Sequence, residues 1–308
     1  TAVKLNVPSG KKVDTLVLNG AECEPYLSAD HRLMLEHADQ ITRGARLIQK
    51  VLGIQKVIIG VEDNKMDAVE ALRKACADYD GFSVVALKTK YPQGDERQLI
   101  YALTGKELPA GKLPADVGCV VFNAETCSCV FNAFAHGMPL IERIVTVDGD
   151  CVKTPKNLLV SIGTPYSKLI DYCGGLVKEP WKIVNGGPMM GTCQWDINAP
   201  VTKGTSAILV LSNAFDKKYE MDPTCIRCGR CVRGCPMHLL PSYLAIFGAQ
   251  GKLDLAEEFD VMSCVECGSC SYNCPGNVPI VQLIRATKGQ INDIKRAKAA
   301  ALSASKNN

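Results

Sequence analysis

The sequence has 308 residues, 47% hydrophobic and 22% charged, the composition of ordinary globular domains and long enough for two or three of them. Its formal net charge is +3. The basic excess sits after Ile284, which argues against a nucleic-acid-binding surface spread over the chain. With no apolar run of about 18 residues, no membrane-spanning helix is expected.

The start, TAVKLNVPSGKK, lacks the apolar stretch of a secretory signal, and Thr1 in place of Met points to a true start elsewhere. Residues 13–19 (VDTLVLN) read as a buried strand ending at Asn19-Gly20 and running into NGAECEP, with Glu22 and Glu24. Met34, Ala38, Ile41, Ala45, Ile48 and Leu52 recur at spacings of four and three. That is one face of a long helix, stopped by Gly53. A strand at 56–61, a helix marked by Met66, Val69, Leu72 and Cys76, and a strand at 82–87 follow. In YPQGDERQLIYALTG, Asp95 can cap a short helix that ends near Gly105. A fourth strand at 117–123 leads into a helix from near Glu125 to Gly137.

Strands alternating with helices predict an α/β domain with a mostly parallel sheet covered on both faces. Ligands of such sheets lie beyond the carboxyl ends of the strands, here residues 19–24 and 123–126. No G-x-G-x-x-G follows a strand and opens a helix. GGPMMG at 186–191 reads as a turn. The runs IVTVDG, LLVSIG, KIVNGG and SAILVL around a helix near 165–173 predict a compact α+β module with a small mixed sheet. Beyond it, 239–247 and 253–262 read as helices, and the tail from Val281 as a helix with a frayed Ala/Lys-rich end. The domains expected are 1–139, 140–215 and 216–308.

Eight of sixteen cysteines fall in two copies of one motif, CIRCGRCVRGCP (225–236) and CVECGSCSYNCP (264–275). Each is C-x2-C-x2-C-x3-C-P, the bacterial run whose fourth cysteine ligates the other cluster of a pair. Cys225, Cys228, Cys231 and Cys274 are therefore assigned to one [4Fe–4S] cluster, and Cys264, Cys267, Cys270 and Cys235 to the second. Zinc sites use paired C-x2-C hooks without the third cysteine and the proline, and disulfides need an oxidising compartment. The other eight cysteines share no spacing; most lie in apolar surroundings and read as core residues, including the C-x-C pair Cys127 and Cys129. The first loop carries Arg227, Arg230 and Arg233. The second carries Glu266 and no basic residue, so the first cluster is expected at the higher potential.

Together these segments resemble the C subunit of the Rnf complexes, membrane-associated ferredoxin:NAD oxidoreductases. NGAECEPYLSADHRLM, YPQGDERQLIYALTGKELP, FNAETC, GGPMMG and the doubled cluster motif carry the resemblance. The first domain is also similar to the flavin- and NADH-binding subunit of respiratory complex I, and 140–213 to the soluble-ligand-binding β-grasp domain. The resemblance implies two [4Fe–4S] clusters, FMN, and NAD(H) as substrate. Asn19 would hold the flavin, with Glu22 and Glu24 by the isoalloxazine and the NADH. Tyr91, Gly94, Asp95 and Glu96 would lie near the flavin ring, Asn123 and Thr126 near the ribityl phosphate, and Lys4 at a flavin-contacting position. Glu24 and Glu96 would flank the nicotinamide–flavin stack. The family's glycine-rich phosphate loop would lie upstream of Lys4, before the first residue here.

The function implied is electron transfer between NAD(H), FMN and the clusters in an ion-translocating complex. The partners implied are its other subunits, membrane and ferredoxin-like ones included, on the cytoplasmic face of the membrane as a peripheral subunit, with no nucleic acid. The alternative is an iron–sulfur adaptor without its own NADH site. The related sodium-pumping NADH dehydrogenase subunit is disfavoured, because it lacks the doubled motif. Protein purified anaerobically should hold about eight irons and eight sulfides per chain, with visible absorbance bleached by dithionite. A colourless zinc protein that refuses reconstitution would exclude the assignment.

Overall fold

In the computed structural model, residues 1–215 and 223–306 are described, the last four of them as backbone only. They fall into two compact units, one ending at Phe215 and one comprising the cysteine motifs. The expected start of the third domain, 216–222, lies outside the described residues.

The first unit begins with α1 (Ala2–Leu5), β1 (Thr15–Gly20), α2 (Ala29–Glu36), α3 (Ala38–Leu52), β2 (Lys56–Glu62) and α4 (Met66–Ala75). It continues with β3 (Phe82–Leu87), α5 (Glu96–Thr104), β4 (Cys119–Asn123) and α6 (Ala124–His136). The four strands pair in parallel in the order β3-β2-β1-β4. Near-continuous apolar strands are what a sheet covered on both faces requires, and alternate residues divide between its two cores. Leu16 and Leu18 face α2, α3, α4 and α6, with Ile41, Ile48, Val69 and Leu72. Val17 and Val121 face α5 and pack with Leu99 and Ile100. The order reverses between β1 and β4, so the crevice beyond their carboxyl ends is the switch point of the sheet. Asn19 and Asn123 stand there as Cα partners.

The long helix expected over 34–52 is instead two helices. The backbone leaves helical geometry at His37 (φ −130°, ψ 31°), and α2 starts five residues before Met34. Leu33, Met34, Ile41 and Ile48 enter one core from both helices, so apolar spacing alone did not reveal the change of direction. Other local signals hold. Gly53 closes α3 in the left-handed conformation, and Asp95 caps α5 by accepting from the amides of Arg97 (3.0 Å) and Gln98 (3.2 Å).

The expected small mixed sheet follows: β5 (Glu142–Asp148), β6 (Lys156–Ser161), α7 (Tyr166–Tyr172), β7 (Lys182–Asn185), β8 (Thr192–Gln194) and β9 (Ala207–Leu211). Its order is β6-β5-β9-β7-β8, with β5 and β9 parallel. One face packs on α7 through Val145, Val147, Ile170 and Ile208. The other packs Val184, Ala207 and Leu209 against Leu27, from the turn after β1.

The second unit is helical: α8 (Arg230–Arg233), α9 (Pro241–Ala249), α10 (Leu253–Glu258), α11 (Ser269–Tyr272) and α12 (Ile280–Lys306). Its two cysteine motifs begin 39 residues apart and fold alike. Arg227 and Glu266 take the same left-handed φ (54° and 57°), as do His238 and Asn277 (54° and 51°). α8 and α11 follow at matching positions, and α9 and α12 both start after a cysteine-proline turn. Leu244, Ala245, Ile280, Val281 and Ile284 form the core between them. α12 runs to Lys306. Among the described residues no helix is long and apolar enough to cross a membrane.

Gly44 of α3 lies against α6, where an added Cβ would stand 1.8 Å from the Cys127 carbonyl oxygen. Alanine is the better helix former by roughly 1 kcal/mol, yet overpacking of this kind costs about 1–3 kcal/mol. Gly44→Ala should therefore lower the unfolding free energy measured in urea. A midpoint at or above that of the parent would count against this close approach.

Candidate functional site

The turn after β1 gathers most of the predicted residues of the first unit. Glu22, at φ 45°, folds back so that its carboxylate accepts from the first amides of α2, Asp30 (2.7 Å) and His31 (3.0 Å). Asn19 donates to the Gly94 carbonyl (2.8 Å), and the Gly94 amide donates to Cys23 Sγ (3.2 Å). The 91–96 segment is thereby tied across the end of β1. Glu24 accepts from the amides of Met189 (3.1 Å) and Met190 (2.9 Å) and from the Tyr91 side chain. GGPMMG is thus a turn, as expected, and it is also the point where the mixed-sheet module grips the β1 turn. An added Cβ at Gly187 would lie 2.2 Å from Glu24 Oε2, so only glycine permits the grip.

Lys4 donates to Glu96 (2.8 Å) and to the Val121 carbonyl of β4 (2.9 Å). Asn123 caps α6 by accepting from the Glu125 amide (2.8 Å), and its amide group donates to Asp30 (2.9 Å). Thr126 stands in the first turn of α6. The fold therefore brings Lys4, Asn19, Glu22, Glu24, Tyr91, Gly94, Asp95, Glu96, Asn123 and Thr126 to the ends of β1 and β4. Many of their polar atoms have protein partners, and the carboxylates of Glu22 and Glu24 are both engaged.

Sequence reasoning missed the charges beneath this turn. Lys65 is 7% exposed, donates to the Ala21 carbonyl (3.0 Å) and lies 3.5 Å from Glu62. Arg143 of β5 pairs with Glu125 and donates to the Lys203 carbonyl. Neither belongs to a motif; only the charge set inside the apolar run of ERIVTVD could have marked Arg143. Burial, and then the neighbouring Asp30 carboxyl, push Glu22 up to about 8. Burial likewise raises Glu125 to about 7, against the pull of Arg143, and raises Asp30 and Glu24. Gln93, also unforeseen, is 2% exposed, and its Oε1 has no protein partner.

In the second unit, Cys235, Cys264, Cys267 and Cys270 line one apolar cavity with Leu244, Val281 and Ile284. That is the ligand set assigned to the second cluster, including the crossing fourth cysteine. Burial raises the Cys270 thiol to about 12, with Cys264, Cys267 and Cys235 adding repulsion. A cluster whose irons take up the thiolates removes that penalty, so these residues fit it. Among the described residues no three His, Cys, Asp or Glu side chains are grouped as for one metal ion. A cube binds each thiolate to a different iron, so its ligands need not converge on one atom. Of the first set, Cys225 and Cys228 are exposed and Cys231 is buried. Their loop repeats the backbone of the second. Cys127 is buried in the core shared with α3, as expected of a core cysteine, whereas Cys129 is half-buried.

Residues 1–132 match the family model described as Nuo51 FMN-binding domain, 144–192 the SLBB domain and 217–275 the 4Fe-4S dicluster domain. The chain is 50% identical over 291 residues to the C subunit of the proton-translocating ferredoxin:NAD(+) oxidoreductase complex of Clostridium ljungdahlii, covering 94% of this chain and 63% of that protein. Over nearly its whole length the chain is thus similar to the C subunit of such a complex. It is also 48% identical to the Na(+)-translocating counterpart of Acetobacterium woodii (94% and 66% covered). To the C subunit of the ion-translocating oxidoreductase complex of Rhodobacter capsulatus it is 44% identical (97% and 57%). The chain thus spans 57–66% of the length of these relatives. A chain of an NAD+-reducing [NiFe]-hydrogenase shares the fold, with a TM-score of 0.60 at 17% identity over 93% of this chain and 57% of that one. The family's domains bring FMN and iron–sulfur clusters as cofactors.

The raised Glu22 carries a pH prediction. Its stabilising contribution is fully present below the unfolded value of 4.5 and is lost as pH rises through about 8, because the folded state binds the extra proton in that window. Relative to Glu22→Gln, the parent should lose up to about 1.4 kcal/mol of stability per pH unit across it. Parallel urea titrations at several pH values check this. A difference that stays flat or runs the other way would show Glu22 ionised throughout.

Proposed function

We propose that this chain is the electron-transfer subunit of a membrane-associated, ion-translocating ferredoxin:NAD oxidoreductase, passing electrons between NAD(H), FMN and two [4Fe–4S] clusters. One observation carries the reading. A parallel-sheet domain with its polar groups gathered at the switch point shares a chain with a doubled cysteine motif whose crossing ligand set lines one cavity. Bound FMN supplies the exchange between two-electron hydride chemistry and one-electron carriers.

The chain's own residues bind, orient and exclude water. Asn19 and Asn123, partners across β1 and β4, fix the floor of the flavin site. Tyr91, Gly94 and Asp95 form its wall, held against β1 by the Asn19 bond to Gly94. Lys4 keeps a cation beside Glu96, and Thr126 at the start of α6 offers an anion-binding helix end. Glu22 and Glu24 place carboxyl groups at the nucleotide side, with burial raising both above the usual carboxylate range. Cys225, Cys228, Cys231 and Cys274 hold the first cluster, and Cys264, Cys267, Cys270 and Cys235 the second. The partners are the other subunits of the complex, including membrane subunits and a ferredoxin-like subunit, at the cytoplasmic face. Nothing in the site calls for nucleic acid.

The test is steady-state NADH oxidation with an artificial acceptor, beside flavin and iron analysis, on the full-length protein. Glu96→Gln and Glu24→Gln should each raise KM for NADH about tenfold, the loss of one hydrogen bond to a charged acceptor, with cluster iron unchanged. Glu96→Gln leaves the Met189–Met190 grip intact and so separates nucleotide contact from module docking. Full flavin loading with unchanged NADH kinetics in both variants would leave the iron–sulfur adaptor as the better reading.

A further inference from the structure

Between Cys264 and Cys274 the sequence offers one charged side chain, Glu266, and the loop reads as anionic. The fold reverses this. α12 runs past the loop and delivers two cations to the same carboxylate, Arg285 Nε at 2.9 Å and Lys288 Nζ at 2.5 Å. Lys288 also donates to the backbone carbonyl of Cys264 at 2.9 Å. Its side chain is 17% exposed, against 35% for Arg285. A sheltered ammonium group is thus fastened to the first cysteine of the second motif, and the three side chains sum to one positive charge.

The internal repeat gives a comparison within the molecule. Thirty-nine residues earlier, Arg227 stands in place of Glu266, Ile246 in place of Arg285 and Ala249 in place of Lys288. The first loop therefore carries its cation itself, on exposed arginines at 227, 230 and 233, where water and salt screen it. The second imports its cations from a helix and keeps them partly out of water. Adding an electron to a cluster adds a negative charge, and a nearby sheltered cation favours that state. Cluster potentials depend on net charge, hydrogen bonding and exposure.

We propose that Lys288, with Arg285 in support, raises the reduction potential of the cluster held by Cys235, Cys264, Cys267 and Cys270, and that Glu266 opposes it. The two clusters are thereby brought closer in potential than their own loops would set them, which keeps one-electron exchange between them open in both directions. This rests on the ligand assignment above.

The experiment is a redox titration followed by electron paramagnetic resonance, on the full-length protein purified anaerobically with its clusters, beside iron and sulfide analysis. Lys288→Gln should lower the potential of the second cluster, changing its reduced-to-oxidised ratio at fixed potential about tenfold, or about 59 mV for one electron. Glu266→Gln should shift it the opposite way, because it leaves both cations uncompensated. Lys288→Arg should retain the parent value. The first cluster serves as an internal reference and should not move. Shifts of the same sign in the two Gln variants, or none with iron retained, would overturn the proposal. Loss of the second cluster from both would make the three residues a structural clamp and overturn it as well. A parent protein with about four irons instead of eight would instead refute the ligand assignment, a separate result read from the iron analysis.

Discussion

The turn that follows β1 buries more polar groups than it can satisfy by itself, and the first unit is arranged to supply their partners. Amides of α2 meet Glu22, Lys65 meets the carbonyls of Ala21 and Glu22, and Gly94 meets Asn19 and Cys23. Met189 and Met190 meet Glu24. A buried group left without a partner costs about 1–3 kcal/mol, so these contacts hold together elements far apart in the chain. The same turn is where a doubly covered parallel sheet places its ligand crevice. Stability and the candidate site therefore draw on one set of atoms.

That sharing explains the charges beneath the turn. Asp30, Glu125, Arg143, Glu62 and Lys65 are buried or nearly so, and ion pairs in such places rarely gain more than their desolvation takes. Their geometry fixes the start of α2 and of α6, and with them Asn123 and Thr126. Arg143 comes from β5, so the mixed-sheet module contributes to this foundation as well as gripping Glu24.

The second unit follows a different constraint. Two loops of near-identical backbone must each wrap a cluster, and the left-handed residues at matching positions show that the wrap itself dictates φ. Only the surroundings differ, and α12 supplies the largest difference. Arg285, Lys288 and Lys295 belong to the basic excess after Ile284. In the fold the first two serve Glu266 and the third pairs with Glu257 (2.6 Å).

The sequence by itself determined what depends on local spacing. The period of apolar residues marked the strands and helices of both sheets. Asp95, Gly53 and Gly105 marked helix ends, because caps act within one turn. The doubled cysteine run pointed to iron–sulfur chemistry, because its spacing suits a cluster loop and its segment matches a 4Fe-4S dicluster domain. Local spacing did not show the break at His37, the grip of 189–190 on Glu24, the buried cations Lys65 and Arg143, or the reversal of charge around Glu266. The grip on Glu24 joins residues more than 160 positions apart, and the charges around Glu266 come from about 20 positions away. Coulombic and hydrogen-bond energies depend on distance and burial, and neither exists until the tertiary structure has formed.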